Sequence, residues 1–204
     1  MSNIPPIAEW RRIFIDTSFI IDLLRDLKSI SPENPKYETI EKSQKLLEHF
    51  KLVATKEENK IRWITSSIVL SELIKFETKE ILDELQNILN SPEVEIINFT
   101  KKEANFIVND MGSYVQENHI SRYIQELQKE MGNTGVFNPR NFVSKDALII
   151  ACAKSKPCDV VLTSDKNTFV PMAKKVDLPI LLTEDLILDL HGNIDPTKSI
   201  STAY

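Results

Sequence analysis

Glycine is scarce in this chain: four occur in 204 residues, at Gly112, Gly132, Gly135 and Gly192, and none precedes Gly112. A Walker A loop and a dinucleotide fingerprint both need glycine where backbone approaches phosphate, so both are excluded. Cysteine is scarcer still. Cys152 and Cys158 are the only two, which rules out a disulfide-rich secreted scaffold. Their spacing fits no common zinc pattern, and Cys152, in an apolar run, reads as a small hydrophobe. The three histidines, His49, His119 and His191, stand far apart, against a zinc or His-based catalytic site. Long apolar runs are missing too. The longest, Ala147 to Ala153, falls far short of the roughly 20 residues that span a bilayer. The opening MSNIPPIAEW has an early acid and no apolar h-region, so no signal peptide is read. Together these absences predict a soluble, cytoplasmic protein with reduced thiols and no membrane partner.

Acid is what the chain has in supply. Asp and Glu number 30 against 25 Lys and Arg, for a formal charge of −5. Bulk attraction to a polyanion is therefore disfavoured, and carboxylate chemistry is the available alternative. Hydrophobic residues at 42% and charged residues at 27% are ordinary for a globular domain. The length fits one domain, here drawn as an N-terminal extension over 1–10, a main domain over 11–190 and a polar tail over 191–204.

Short apolar runs alternate with helical patterns. Strands are predicted at Arg12–Ile15, Ile61–Thr65, Val94–Phe99, Asp159–Thr163 and Pro179–Leu182. Helices are predicted at Phe19–Leu27, Tyr37–Phe50, Ile68–Lys79 behind a Ser66 or Ser67 cap, Lys79–Leu89, Lys145–Ser155 and Lys166–Val176. Thr100-Lys101-Lys102-Glu103 reads as a capping box opening a helix with Ala104, Ile107, Val108, Met111 and Val115 on one face. Ile120–Met131 adds Ile124 and Leu127. Charged Lys56–Lys60 and the segment Met131–Asn141 read as loops. Strands separated by helices predict an α/β protein, a three-layer α/β/α sandwich on a largely parallel sheet.

In such a sheet active sites gather beyond the carboxyl ends of the strands. Two apolar strands finish in an acid there: Ile13-Phe14-Ile15-Asp16, and Val160-Val161-Leu162-Thr163-Ser164-Asp165. Two helices add Glu72 in Ser71-Glu72-Leu73, and Asp146, read as opening Asp146-Ala147-Leu148-Ile149-Ile150. Four carboxylates in one pocket repel unless a cation neutralises them. Oxygen-only ligands suit Mg²⁺ or Mn²⁺, and the chemistry implied is metal-assisted phosphodiester hydrolysis.

These residues carry a resemblance. Ile13-Phe14-Ile15-Asp16-Thr17-Ser18, Ser66-Ser67-Ile68-Val69-Leu70-Ser71-Glu72-Leu73, Asp146-Ala147-Leu148-Ile149-Ile150-Ala151-Cys152-Ala153, and Val161-Leu162-Thr163-Ser164-Asp165 with Phe169 resemble the motifs of PIN-domain nucleases. That family includes the VapC-like toxins of toxin–antitoxin pairs. Each motif is short, but four in order over Arg11 to Leu182 are specific. The resemblance implies that Asp16, Glu72, Asp146 and Asp165 bind Mg²⁺ or Mn²⁺ and cut RNA, leaving a 3′-hydroxyl and a 5′-phosphate. It implies that Thr17 and Ser18 order the first carboxylate, and that Thr163 or Ser164 acts near Asp165. An antitoxin partner and a homodimer are implied in the same way. The chain is longer than compact toxins, around Glu57-Glu58 and from Glu103 to Asn141.

Structural readings stand beside these. Asp16, Asp165 and Asp146 would each also serve as helix caps or N-terminal charges. Thr183-Glu184-Asp185 copies the strand–Thr–x–Asp form, but Asp185 reads as the cap of Leu186-Ile187-Leu188. Asp22 and Asp26 read as a solvated helix face. Lys145, Arg140 and Lys166 read as surface cations that flank the pocket. Met111, Val115, Ile124 and Leu127 read as core or a dimer seam. The competing functions are a PIN fold kept as an RNA- or protein-binding module without turnover, and a haloacid-dehalogenase-like phosphohydrolase. The latter wants a second Asp two residues after the first, where this chain has Ser18.

Overall fold

Five short strands, all parallel, form the sheet of the computed structural model, which describes residues 4–54, 60–74, 79–109, 111, 139–174, 176–189 and 193–195. They are β1 (Arg12–Ile15), β2 (Arg62–Ser66), β3 (Val94–Ile97), β4 (Val160–Thr163) and β5 (Ile180–Leu182), in the spatial order β3-β2-β1-β4-β5. Ile13 pairs with Trp63 on one side and Val160 on the other, so β1 is central. Ile13, Phe14, Val160, Val161 and Leu162 are all buried. Near-continuous apolar runs of this kind mark parallel strands covered on both faces.

The helices are α1 (Thr17–Leu24), α2 (Tyr37–Ala54), α3 (Ser67–Leu73), α4 (Lys79–Asn90), α5 (Lys101–Asn109), α6 (Pro139–Ser155) and α7 (Phe169–Lys174). α1 packs on α2, while α6 packs on α5 and α7. The chain moves outward from β1 through β2 to β3, then returns to β4 on the other side of β1. With right-handed crossovers, that reversal sends the two helix groups to opposite faces, and the α/β layering expected from the sequence results. α3 touches both α1 and α6, which matters below.

The strand and helix starts were legible because their caps are local. Ser66 accepts from the Val69 amide and caps α3. The capping box forms as expected: Glu103 accepts from the Thr100 amide at 2.8 Å and Thr100 accepts from the Lys102 amide at 3.2 Å. Ile4, Ile7 and Trp10 join the hydrophobic core, with Trp10 Nε1 donating to the Pro5 carbonyl at 2.8 Å. Among the described residues no helix is long and apolar enough to cross a membrane.

Four expectations change. Pro139–Asn141 is helical rather than loop, because proline suits a first helical position, where its missing N–H costs nothing. Asp146 therefore lies about two turns inside α6, too deep for the helix dipole to explain it. Asp22 is buried, at 4% exposure, rather than on a solvated face; Asp26 does stay exposed and caps a 3₁₀ turn at Leu27–Ser29. Thr183–Asp185 forms a 3₁₀ turn followed by extended chain, so Asp185 caps no helix over Leu186–Leu188. Leu188 instead bridges Ile194. The segments expected at Glu57–Glu58, Val115 and Ile120–Met131, with Ile124 and Leu127, lie outside the described residues, as does the tail over 196–204.

Candidate active site

β1 and β4 are neighbours that leave in opposite lateral directions, and the crevice at their carboxyl ends is the switch point where open α/β sheets bind ligands. Asp16 and Asp165 follow these two strands. Asp16 is extended and caps α1, its Oδ1 accepting from the Phe19 amide at 2.9 Å. The Thr163 hydroxyl donates to Asp16 Oδ2 at 2.7 Å, and the Ser18 hydroxyl donates to the same carboxylate at 2.9 Å. Both hydroxyls also accept. Thr163 Oγ1 takes the Asp165 amide within its own loop at 3.0 Å, and Ser18 Oγ takes the Ser164 amide across the crevice at 2.8 Å. The two loops are thus laced together around a carboxylate that is 3% exposed. Burial pushes Asp16 up to about 7, against the pull of hydrogen bonds from Phe19, Thr163 and Ser18, and the Asp165 charge pushes the same way as burial.

Asp165 makes a tight local turn. Its Oδ1 accepts from the Asn167 and Thr168 amides, both at 2.9 Å, and its Oδ2 accepts from the Thr168 hydroxyl. That same hydroxyl also bonds Asp146 across the site. One hydroxyl proton cannot serve two carboxylates at once. Among the described residues Asp146 Oδ2 is sealed from solvent and accepts no hydrogen bond. Burial drives Asp146 well above the ordinary carboxylate range, Thr168 draws it down, and the charges of Asp165, Asp16 and Glu72 each raise it further. The other three acids singled out in the sequence therefore lie within electrostatic reach of Asp146.

Glu72 reaches the cluster from α3, between α1 and α6. The Thr17 hydroxyl donates to its Oε2 at 2.5 Å, and Lys145 Nζ lies 3.1 Å from its Oε1. Two roles differ from those implied by resemblance. Thr17 orders Glu72, leaving Ser18 and Thr163 to order Asp16. Ser164 instead faces Thr183, at 2.9 Å between hydroxyls, and Asp22. Lys145 is paired with the site, whereas Lys166 sits 3.3 Å from Glu184. The side chain of Arg140 lies outside the described residues.

Two site residues went unrecognised in the sequence. Thr168 sits three residues after Asp165, one beyond the Asx turn that Asp165 closes on the Asn167 amide and at the spacing from which a capping side chain also accepts. Asp22 follows Ser18 by four, so both share one face of α1. That spacing was the available signal. Burial pushes Asp22 above its usual range, opposed by a hydrogen bond from Ser164 and the charges of Lys36 and Arg25. The thiols carry no comparable chemistry, since burial pushes Cys152 up to about 11 and Cys158 up to about 12.

The donor set fits a hard divalent cation. It is all oxygen, recessed and mutually repelling, and one buried oxygen, Asp146 Oδ2, lacks any partner. Among the described residues no three of His, Cys, Asp and Glu stand as a ready-made ion cage.

No protein-family model matches the chain, and no curated protein matches its sequence significantly. Among solved structures, the crystal structure of VapBC2 from Rickettsia felis bound to a DNA fragment from their promoter is similar over 84% of this chain and 98% of that chain. The identity is 16% and the TM-score 0.41, so the likeness carries no argument about function.

Proposed function

We propose that this chain is a Mg²⁺- or Mn²⁺-dependent endoribonuclease of the PIN kind. One observation supports the reading: Asp146 of α6 keeps a buried oxygen with no partner, and the charges of Asp16 and Asp165, from the two strands of the switch point, and of Glu72 all act on it. Asp16, Asp146 and Asp165 would hold the cation. When bound, the cation would offset charge on the scissile phosphate and make nearby water more acidic. Ser18 and Thr163 keep the Asp16 carboxylate fixed, and Thr168 does the same for Asp165. Glu72, held by Thr17, would orient the attacking water and take its proton. Lys145, already beside Glu72, would face the phosphate. Attack in line on phosphorus releases a 3′-hydroxyl and leaves a 5′-phosphate. Single-stranded or looped RNA suits the site, because a recessed carboxylate cluster needs a splayed-out backbone.

The test is cleavage of a structured RNA with Mn²⁺ by the wild type, Asp16→Asn and Asp165→Asn. Both variants are expected to lose at least about a hundredfold in rate, as removal of a catalytic group does. Cleavage unchanged in both would overturn the assignment, and no Mn²⁺ uptake by calorimetry would favour a binding module without turnover. The toxin role, an antitoxin partner and homodimerisation rest on the motif resemblance. Co-purification with the product of a small neighbouring reading frame, and the mass in solution, test them.

A further inference from the structure

A cavity of about 440 Å³ opens beside the carboxylate cluster, and the site residues Ser18, Ser164 and Asp165 form one of its walls. Its size lies within the range of small-ligand pockets. Asp22 lines it while almost wholly buried, at 4% exposure. Ile21 and Pro35 supply apolar surface, and Arg25 and Lys36 stand exposed at the rim. A buried carboxylate facing a cavity is costly unless something donates to it, and an ionised carboxylate only accepts. Ser164 supplies one donor, which leaves further acceptor sites on Asp22 open. The complementary ligand is flat, offers adjacent N–H donors on one edge and carries negative charge beyond it.

We propose that this cavity is a nucleobase subsite that takes guanine, the buried Asp22 carboxylate accepting from its N1–H and N2–H₂ edge between Ile21 and Pro35. Guanine is the base that presents two adjacent donors to one carboxylate; adenine and cytosine present an amine beside an acceptor nitrogen, which a carboxylate repels. Arg25 and Lys36 meet the backbone phosphate on the far side of that nucleotide. The near-side phosphate then falls at Asp165, because the cavity and the cluster share that residue. The inference rests on the nuclease reading for which phosphate is cut, and on the cavity alone for which base is held.

A mononucleotide needs only the cavity and its rim cations, so binding can be read without metal. The full chain in EDTA is titrated with guanosine, adenosine, cytidine and uridine 5′-monophosphates by calorimetry. Guanosine monophosphate is expected to bind at least about tenfold tighter than the others, as a good bidentate base contact gives. Asp22→Asn is expected to erase that preference. Amide spectra of the wild type are expected to shift at Ser18, Asp22 and Ser164 on adding guanosine monophosphate, which keeps the test independent of whether the variant folds. Equal binding of the four nucleotides, or no shift at those amides, overturns the proposal. The same RNA assay with Mn²⁺ separates the two readings. Guanine-selective binding without cleavage would remove the nuclease and keep the subsite, whereas Asp16-dependent cleavage with no guanine preference would remove the subsite alone.

Discussion

Replacing Asp16 by Asn in the metal-free protein should make it more stable at pH 8 and no more stable at pH 4. Burial holds the folded Asp16 at about 7, against an ordinary value of 3.8. The folded state therefore binds the proton more tightly than the unfolded chain does. Its contribution is full below pH 3.8 and is lost as pH rises through about 7. A gap of about three pH units corresponds to about 4 kcal/mol, taken as an order of magnitude. Asparagine carries no charge to desolvate. It keeps Oδ1 for the Phe19 amide and offers Nδ2 to the Thr163 oxygen, at a cost of about 1 kcal/mol in weaker hydrogen bonding. The variant should thus be about 1 kcal/mol less stable at pH 4, and more stable by on the order of 2–3 kcal/mol at pH 8, once both effects combine. Urea melts in EDTA across pH 4 to 8 measure the difference directly, and taking the difference cancels the titration of distant groups. Mn²⁺ at pH 8 should then stabilise the wild type and leave the variant nearly unmoved. A constant destabilisation across the whole pH range would refute the reasoning, since a carboxylate held as a simple cap behaves that way.

The remaining expectations concern the opposite pH sign and the choice of anchor. Burial raises Glu103, but hydrogen bonds from the Thr100 hydroxyl and amide outweigh it and hold the acid at about 2, below the ordinary 4.5. Its stabilisation is present above pH 4.5 and fades as pH falls toward 2, so Glu103→Gln should cost on the order of 1 kcal/mol or more at pH 7 and much less at pH 2 by urea melts, because only the ionised acid accepts from both Thr100 donors. Asp146→Asn should weaken Mn²⁺ affinity more than Asp165→Asn does in calorimetry, because Asp146 Oδ2 has no competing partner. Equal losses would count against Asp146 as the principal ligand.

How much of this was legible in sequence depends on the range of each interaction. The ends of β1 and β4, the Ser66 cap and the Thr100–Glu103 box are set by neighbours three residues away, and single-chain patterns record them. The start of α6 was missed because its signal is one proline in a polar stretch, which reads equally as a turn. Asp22 was missed for a different reason. An acid on a helix is ordinarily solvated, but Asp22 is buried where α1 meets Ser164 of the loop after β4, a contact between residues far apart in sequence. Which hydroxyl serves which acid was equally non-local: Thr17 and Ser18 are adjacent in sequence, yet they serve Glu72 and Asp16.

The capping and catalytic readings of these carboxylates are compatible, and the geometry explains why. An ionised carboxylate has about four acceptor sites. Asp16 gives one to the Phe19 amide and others to Ser18 and Thr163, which fixes its rotamer without removing its charge. Asp165 is restrained in the same way by Asn167 and Thr168. Caps supply rigidity here, and rigidity is what the proposed cation site would need from its ligands. Asp146 has the reverse character: it lies deep within a helix, far from any cap, and keeps an oxygen with no partner. A buried carboxylate oxygen that served stability alone would be paired, and Asp146 Oδ2 is not. The formal charge of −5 is likewise concentrated: without Asp16, Glu72, Asp146 and Asp165 the chain is close to neutral, so its acidity opposes a polyanion only while the cluster is uncompensated.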